Sequence, residues 1–161
     1  DKNFREGVAL PGGHDKMLMD LTLTGPGMLD LKNFFDYAIE LDVKIETKRM
    51  FAFHSDIVFS PMAWPRHILD RVIHENLDYI RPRATHKQET LIRELENMLE
   101  VPTFEEQWPD EHEDNFFRGR KWQRRIAEMR LEEKTTIEDV YKLDSELYDW
   151  WMRTDLKDNQ R

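Results

Sequence analysis

Residues 65–82 read PRHILDRVIHENLDYIRP, and the spacing of their apolar side chains decides the fold class. Ile68, Leu69, Val72, Ile73, Leu77 and Ile80 recur at steps of three and four, which puts them on one face of an α-helix. Pro65 suits a helix opening, because the N–H it lacks is one that a first turn leaves unpaired anyway. Pro82 ends the helix, since its ring clashes with the turn before it. Three residues further on, Thr85 and Gln88 can cap one another's backbone N–H groups and so open a second helix. The stripe of that helix is Leu91, Ile92, Leu95, Met98 and Leu99. A link as short as Arg81-Pro82-Arg83 predicts that the two helices, about 65–81 and 86–100, pack antiparallel through these stripes as the centre of the chain.

Toward the N-terminus, Leu31, Phe34, Phe35, Ala38 and Ile39 predict another amphipathic helix, over about 29–42. Residues 1–28 carry two breaker clusters, Pro11-Gly12-Gly13 and Gly25-Pro26-Gly27. Between them Met19, Leu21 and Leu23 alternate with Asp20, Thr22 and Thr24. This reads as an irregular arm holding one short strand, with Gly25-Pro26-Gly27 as a turn. Val43–Phe59 is ambiguous between two short strands about a His54-Ser55-Asp56 turn and an extension of the helix before it.

Toward the C-terminus the charge is segregated. Glu105, Glu106, Asp110, Glu111, Glu113 and Asp114 form an acidic linker. A charged helix from about Asn115 to Glu133 follows, carrying Arg118, Arg120, Lys121, Arg124, Arg125 and Arg130 and a thin stripe of Trp122, Ile126 and Met129. Thr136 and Asp139 form a capping box for a last helix with Val140, Leu143, Leu147 and Trp151 along one side. The expected fold is therefore mainly α: an elongated helical protein with an antiparallel helix pair and an irregular N-terminal arm, open to one or two short strands. Its segments are 1–28 (arm), 29–60 (helix and ambiguous segment), 61–102 (helix pair) and 103–161 (acidic linker and charged C-terminal helices).

Composition bounds the function. Charged residues are 35% and hydrophobic ones 39% of 161, so the sequence predicts only a small core of its own. Five Trp in so charged a chain suit helices that dock on other chains, with rings anchoring an interface while charged faces stay wet. Net charge is −9: residues 1–85 hold 13 acidic and 11 basic side chains, residues 86–161 hold 20 and 13. An acidic balance argues against a phosphate backbone as principal ligand, so no nucleic acid is expected. Without cysteine there are no disulfides and no thiolate chemistry. No apolar run reaches the roughly 18–20 residues that a membrane span needs. Because the sequence begins at Asp1 rather than Met, a removed or omitted N-terminal segment is expected, a processed targeting peptide being one explanation.

No motif carries chemistry. His67 and His74 share a helix side with Arg71 and Asp78, but they lack the i, i+4 spacing of helical zinc sites, and an arginine sits inside the cluster. His54-Ser55-Asp56 is a triad only as a string of letters, since adjacent side chains diverge. Neither glycine cluster has the spacing of a phosphate loop. The sequence thus implies no enzyme, no cofactor, no metal and no small-molecule substrate. Arg120, Arg124, Arg125 and Trp122 are the residues expected to meet a partner protein. Trp150 and Trp151 join them: they lie about 100° apart on a helix near the chain end, so at least one is expected against another subunit.

Residues 89–147 resemble the subunit d family of the mitochondrial ATP synthase peripheral stalk. The similar elements are a helix closing on Leu99-Glu100-Val101-Pro102, a charged linker to Pro109-Asp110-Glu111, the charged helix, then Thr136-Ile137-Glu138-Asp139 followed by Ser145-Glu146-Leu147. In that family a Thr-x-acid-acid step precedes a Pro-Glu-Leu element. A small accessory subunit of respiratory complex I, with a helix ending in Ile-Pro and a Trp-rich end, is nearly as similar. The resemblance implies a non-catalytic subunit on the matrix side of the mitochondrial inner membrane. Such a subunit would contact other proteins of a proton-transporting complex and link catalytic head to membrane sector. A protein-contacting peripheral subunit of the mitochondrial ribosome is the remaining alternative.

Overall fold

The structure is a computed structural model that describes residues 1–50, 52, 54–130 and 135–154. Within these, ten α-helices accompany a single two-stranded sheet, so the fold is mainly α with short strands. The order is α1 (Lys2–Val8), α2 (Gly13–Lys16), β1 (Leu18–Leu23), α3 (Gly25–Leu29), α4 (Leu31–Glu40) and β2 (Lys44–Arg49). Two 3₁₀ turns, His54–Phe59 and Pro61–Ala63, lead into α5 (Arg66–Ile80). A third, His86–Gln88, leads into α6 (Glu89–Glu100), followed by α7 (Phe104–Gln107), α8 (Pro109–Met129), α9 (Ile137–Tyr141) and α10 (Ser145–Met152).

The helix pair forms as its stripes dictate. Ile68, Leu69, Val72, Ile73, Leu77 and Ile80 of α5 and Leu91, Leu95 and Met98 of α6 are all buried. Arg66, at the start of α5, donates to the carbonyls of Met98 and Val101 at the end of α6, at 3.3 and 2.5 Å. That end-to-start contact is what antiparallel packing produces. The Thr85–Gln88 capping box is present, and Gln88 is itself buried.

The N-terminal arm is not irregular. β1 pairs in parallel with β2, with Asp20 opposite Glu46 and Thr22 opposite Lys48, and the chain crosses between the strands through α3 and α4. Parallel strands need such a crossover, which no short-range pattern announces. Gly25-Pro26-Gly27 is the opening of α3 rather than a turn, because Thr24 caps it by accepting from the Gly27 N–H. Gly25 also lets Trp64 and Tyr141 approach: a Cβ there would stand 2.6 Å from the Tyr141 hydroxyl. The ambiguous segment resolves into β2 and the 3₁₀ turn His54–Phe59; Phe51 and Phe53 lie outside the described residues.

Two further readings need correction. The acidic linker is helical: α7 opens on a capping box between Thr103 and Glu106, and Asp110, Glu111, Glu113 and Asp114 belong to the first turns of α8. Carboxylates near a helix N-terminus meet unpaired N–H groups and the positive end of the dipole, so this acidity favours the helix instead of extending the chain. The last helix is two, α9 and α10, broken where Asp144 caps the second by accepting from Leu147 N at 2.9 Å. The break exposes Leu143, whereas Leu147 and Trp151 are buried and Val140 is half-buried. Glu133, where the charged helix was expected to end, and the tail 155–161 lie outside the described residues.

Nor is the core small. One connected cluster runs from Met19 and Leu23 through the helix pair to Phe116, Tyr141, Leu147 and Trp151, so the C-terminal helices fold back onto the body. The Tyr141 hydroxyl accepts from Trp64 Nε1 at 3.2 Å, tying α9 to the turn before α5. Asn76, buried in α5, donates to the carbonyl of Met28 at 3.2 Å and so joins α5 to α3.

Candidate functional site

α8 spans 21 residues, and the two sides of this helix do different things. Its inner side buries His112, Phe116, Phe117 and Gly119. Gly119 lies against the 3₁₀ turn His54–Phe59: a Cβ at this position would stand 2.7 Å from Val58 Cγ1 and closer still to the Ser55 carbonyl oxygen. Only a residue without a side chain permits that approach. His112 Nε2 is 2.9 Å from the Ala63 carbonyl oxygen, and burial pulls its pKa below the usual histidine value. An imidazole buried and held by a backbone carbonyl is a structural group here.

The arginines expected to reach a partner divide between two roles. Arg120 donates to the carbonyls of Trp151 and Arg153, the latter at 2.7 Å, and lies over the Phe117 ring at 4.8 Å. A guanidinium at the carbonyl end of α10 satisfies groups that the helix cannot pair itself and complements its dipole. Arg153 sits 3.9 Å above Phe116 and 4.9 Å from the Trp150 ring centroid. Desolvation among these rings, with Arg120 adding to it, pushes the Arg153 pKa down to about 10. Arg124 pairs with Glu138 of α9 at 3.0 Å and touches Met152 Sδ. Arg120 and Arg124 therefore clamp α9–α10 onto α8 within the chain.

The tryptophans divide as well. Trp151 is 1% exposed and stacks edge-on against Phe116 and Tyr141, so it belongs to this chain's own core. Trp150 is half-buried, with its ring 4.6 Å from that of Phe116. Of the two rings, Trp151 packs on this chain's own helices, because two short helices turn the chain end back over α8. A single straight helix would have carried it away.

On its outer side α8 exposes Arg118, Lys121, Trp122, Arg125 and Met129, together with Glu111, Asp114 and Glu128. Trp122 is 49% and Met129 59% exposed, and Arg118, Trp122, Arg125 and Met129 recur at steps of four and three along one face. Among the described residues none of Arg118, Lys121 and Arg125 has an ion pair. This is a basic stripe centred on a large ring that the chain's own fold does not cover.

Elsewhere, several charged groups pair within the chain. His67 stands 3.2 Å from Glu146, while Arg71 pairs with Asp144 at 2.8 Å and Glu146 at 3.2 Å, so the polar side of α5 holds the start of α10. Among the described residues no group of three or more metal-ligating side chains converges. A cleft of about 330 Å³ is lined by His54, Ile57, Phe104, Trp108, Glu111 and His112, the last of which has its Nε2 turned to the Ala63 carbonyl. No described helix is long and apolar enough to cross a membrane. No protein-family model matches the chain, and no curated protein or solved structure gives a match.

Proposed function

We propose that this chain is a non-catalytic docking component of a larger protein assembly, and that it meets its partner through the outward face of α8. The observation that carries this reading is the uncovered stripe of Arg118, Trp122, Arg125 and Met129 on a helix whose inner side is buried against the body. A half-exposed Trp flanked by cations fits a partner with an apolar pocket inside an acidic rim: the ring supplies desolvated area, and the cations steer the encounter and fix register. In a chain of net charge −9, a local basic stripe is also the region that an acidic partner surface can approach.

Within that class, the finer reading is a mitochondrial ATP synthase peripheral-stalk subunit, which rests on the resemblance of residues 89–147 alone. The role would be mechanical: a rigid body braced between larger parts, with one face left for attachment.

The test is affinity purification of the tagged chain from native material, run in parallel with Trp122→Ala/Arg125→Glu and, as a control, Lys2→Ala. The reading expects the same partner chains with wild type and control, and their loss with the double variant at unchanged helical signal. Partners retained by the double variant would move the interface elsewhere. Recovery of the stalk chains would identify the assembly, and recovery of another complex would replace the stalk reading while keeping the docking role.

A further inference from the structure

A two-stranded parallel sheet with one strand edge open is an incomplete object. Parallel pairing is the weaker kind, and parallel sheets ordinarily occur as several strands. The two edges of this sheet are treated differently. On the β2 side, the Val43 carbonyl accepts from Gln88 Nε2 at 3.2 Å and the Ile45 carbonyl accepts from Thr90 Oγ1 at 2.5 Å, so the start of α6 closes the edge. On the β1 side nothing comparable happens. Met50 N donates to the Leu23 carbonyl at 2.9 Å, which turns Leu23 toward β2; by alternation Met19 and Leu21 face the same way, and the backbone groups of Leu18, Asp20 and Thr22 face outward. Among the described residues none of these outward groups has a hydrogen-bond partner.

We infer that the free edge of β1 docks an extended strand of a partner polypeptide, one with apolar and polar residues in alternation. Beside the edge, α1, β1 and α4 border a shallow, open depression of about 460 Å³ lined by Phe4, Met19, Phe34 and Tyr37 with Asp1 and Asp20, and no residue of β2 takes part. Apolar side chains on one face of the incoming strand fill this depression. The polar ones lie on the opposite face, where Asp20 and Lys48 form an ion pair at 2.9 Å and Lys44 pairs with Glu46. Added strands gain affinity from the backbone ladder and specificity from such alternate pockets. A second copy paired about Asp20 is disfavoured, because that register would set Asp20 against its own counterpart, and like charges directly opposite destabilise a pair. This surface lies on different elements from the α8 stripe and does not depend on it.

The chain has no cysteine, so one introduced thiol reports one contact. The probe is the synthetic peptide Lys-Val-Thr-Val-Cys-Val-Thr-Val-Lys, offered to Asp20→Cys and Glu46→Cys under mild oxidation. A strand added at β1 lies about 4.8 Å from β1 and about 10 Å from β2, and disulfides need Cβ atoms within about 4.5 Å. Asp20→Cys should therefore trap the peptide at least about tenfold faster than Glu46→Cys. Thr22→Pro, added to Asp20→Cys, removes an outward N–H where an edge strand tolerates proline, and should abolish that advantage. In the unmodified protein, saturating cysteine-free peptide should slow exchange of the Asp20 and Thr22 amides about tenfold. The inference is overturned if both thiols trap equally, if the proline changes nothing, if those amides are protected before peptide is added, or if Asp20→Cys dimerises in preference to taking the peptide.

Discussion

Replacing Gly119 by Ala tests the tightest of the glycine sites, because two effects of opposite sign meet there. In the middle of a 21-residue helix, Gly→Ala should stabilise by about 1 kcal/mol from backbone propensity alone. The new methyl would stand 2.7 Å from Val58 Cγ1 and 3.1 Å from the Ser55 carbonyl carbon, and nearer still to its oxygen. Ordinary contact begins near 3.4 Å. The obstacle is largely backbone, in a turn whose Ile57 and Val58 are themselves buried at 6% and 1% exposure, so it cannot simply swing aside. Overpacking of this kind costs about 1–3 kcal/mol and occasionally more; at a backbone wall the upper end applies, leaving a net loss of about 2 kcal/mol. In urea unfolding that corresponds to a midpoint lower by about 1 M at unchanged slope, and in melting to a loss of about 4–8 °C. Gly7→Ala is the internal control: the nearest atom to its Cβ is the flexible end of Met17, at 3.1 Å, so its effect should stay within about 0.5 kcal/mol. If Gly119→Ala is as stable as wild type or more so, α8 does not lie on the 54–59 turn, and the account of how the basic face is presented collapses with it.

Four other outcomes follow from the same packing. Leu95→Asp should cost several kcal/mol, visible as a lost or much earlier cooperative melt, because it places an unpaired charge at a position with 0% exposure. Trp151→Ala should destabilise the isolated chain by about 3–5 kcal/mol, read by denaturant midpoint; unchanged stability would return this ring to the surface. Arg120→Glu should lower the melting temperature while Arg125→Glu leaves it unchanged, since only the first caps α10; equal effects would refute the division of the arginines into internal clamps and an outward stripe. Glu106 is held down to about 2 by the Arg66 guanidinium first and the Thr103 N–H second. A depressed folded-state pKa gives stability that is present above the unfolded value near 4.5 and lost as pH falls toward about 2. Glu106→Gln should therefore flatten the acid limb of stability over that window, modestly because the pair is solvent-screened; an unchanged acid slope would dismiss the pair as a stabilising contact.

Much of this architecture is legible along the chain. The stripes of α5 and α6, the Thr85–Gln88 and Thr136–Asp139 boxes and the strand over Met19–Leu23 are consequences of local periodicity and local hydrogen bonding, which neighbours in sequence settle among themselves. The basic stripe was legible too, as residues, though not as a site. Nothing in the spacing of Arg120, Arg124, Arg125 and Trp122 says that the first two turn inward to hold α9 and α10 while the others stay out. That choice is made by the break at Asp144, which folds Trp151 back against Phe116 and brings carbonyl groups within reach of Arg120. Partnership between β1 and β2 was equally hidden, because a parallel pair joins residues about 26 apart through a crossover, and alternation in one strand does not name the other. Sequence determined the longer helices and their apolar faces, since those depend on side chains within a turn or two of each other. Tertiary structure alone decided which charged and aromatic groups remain outward, because burial depends on what distant segments bring to meet them.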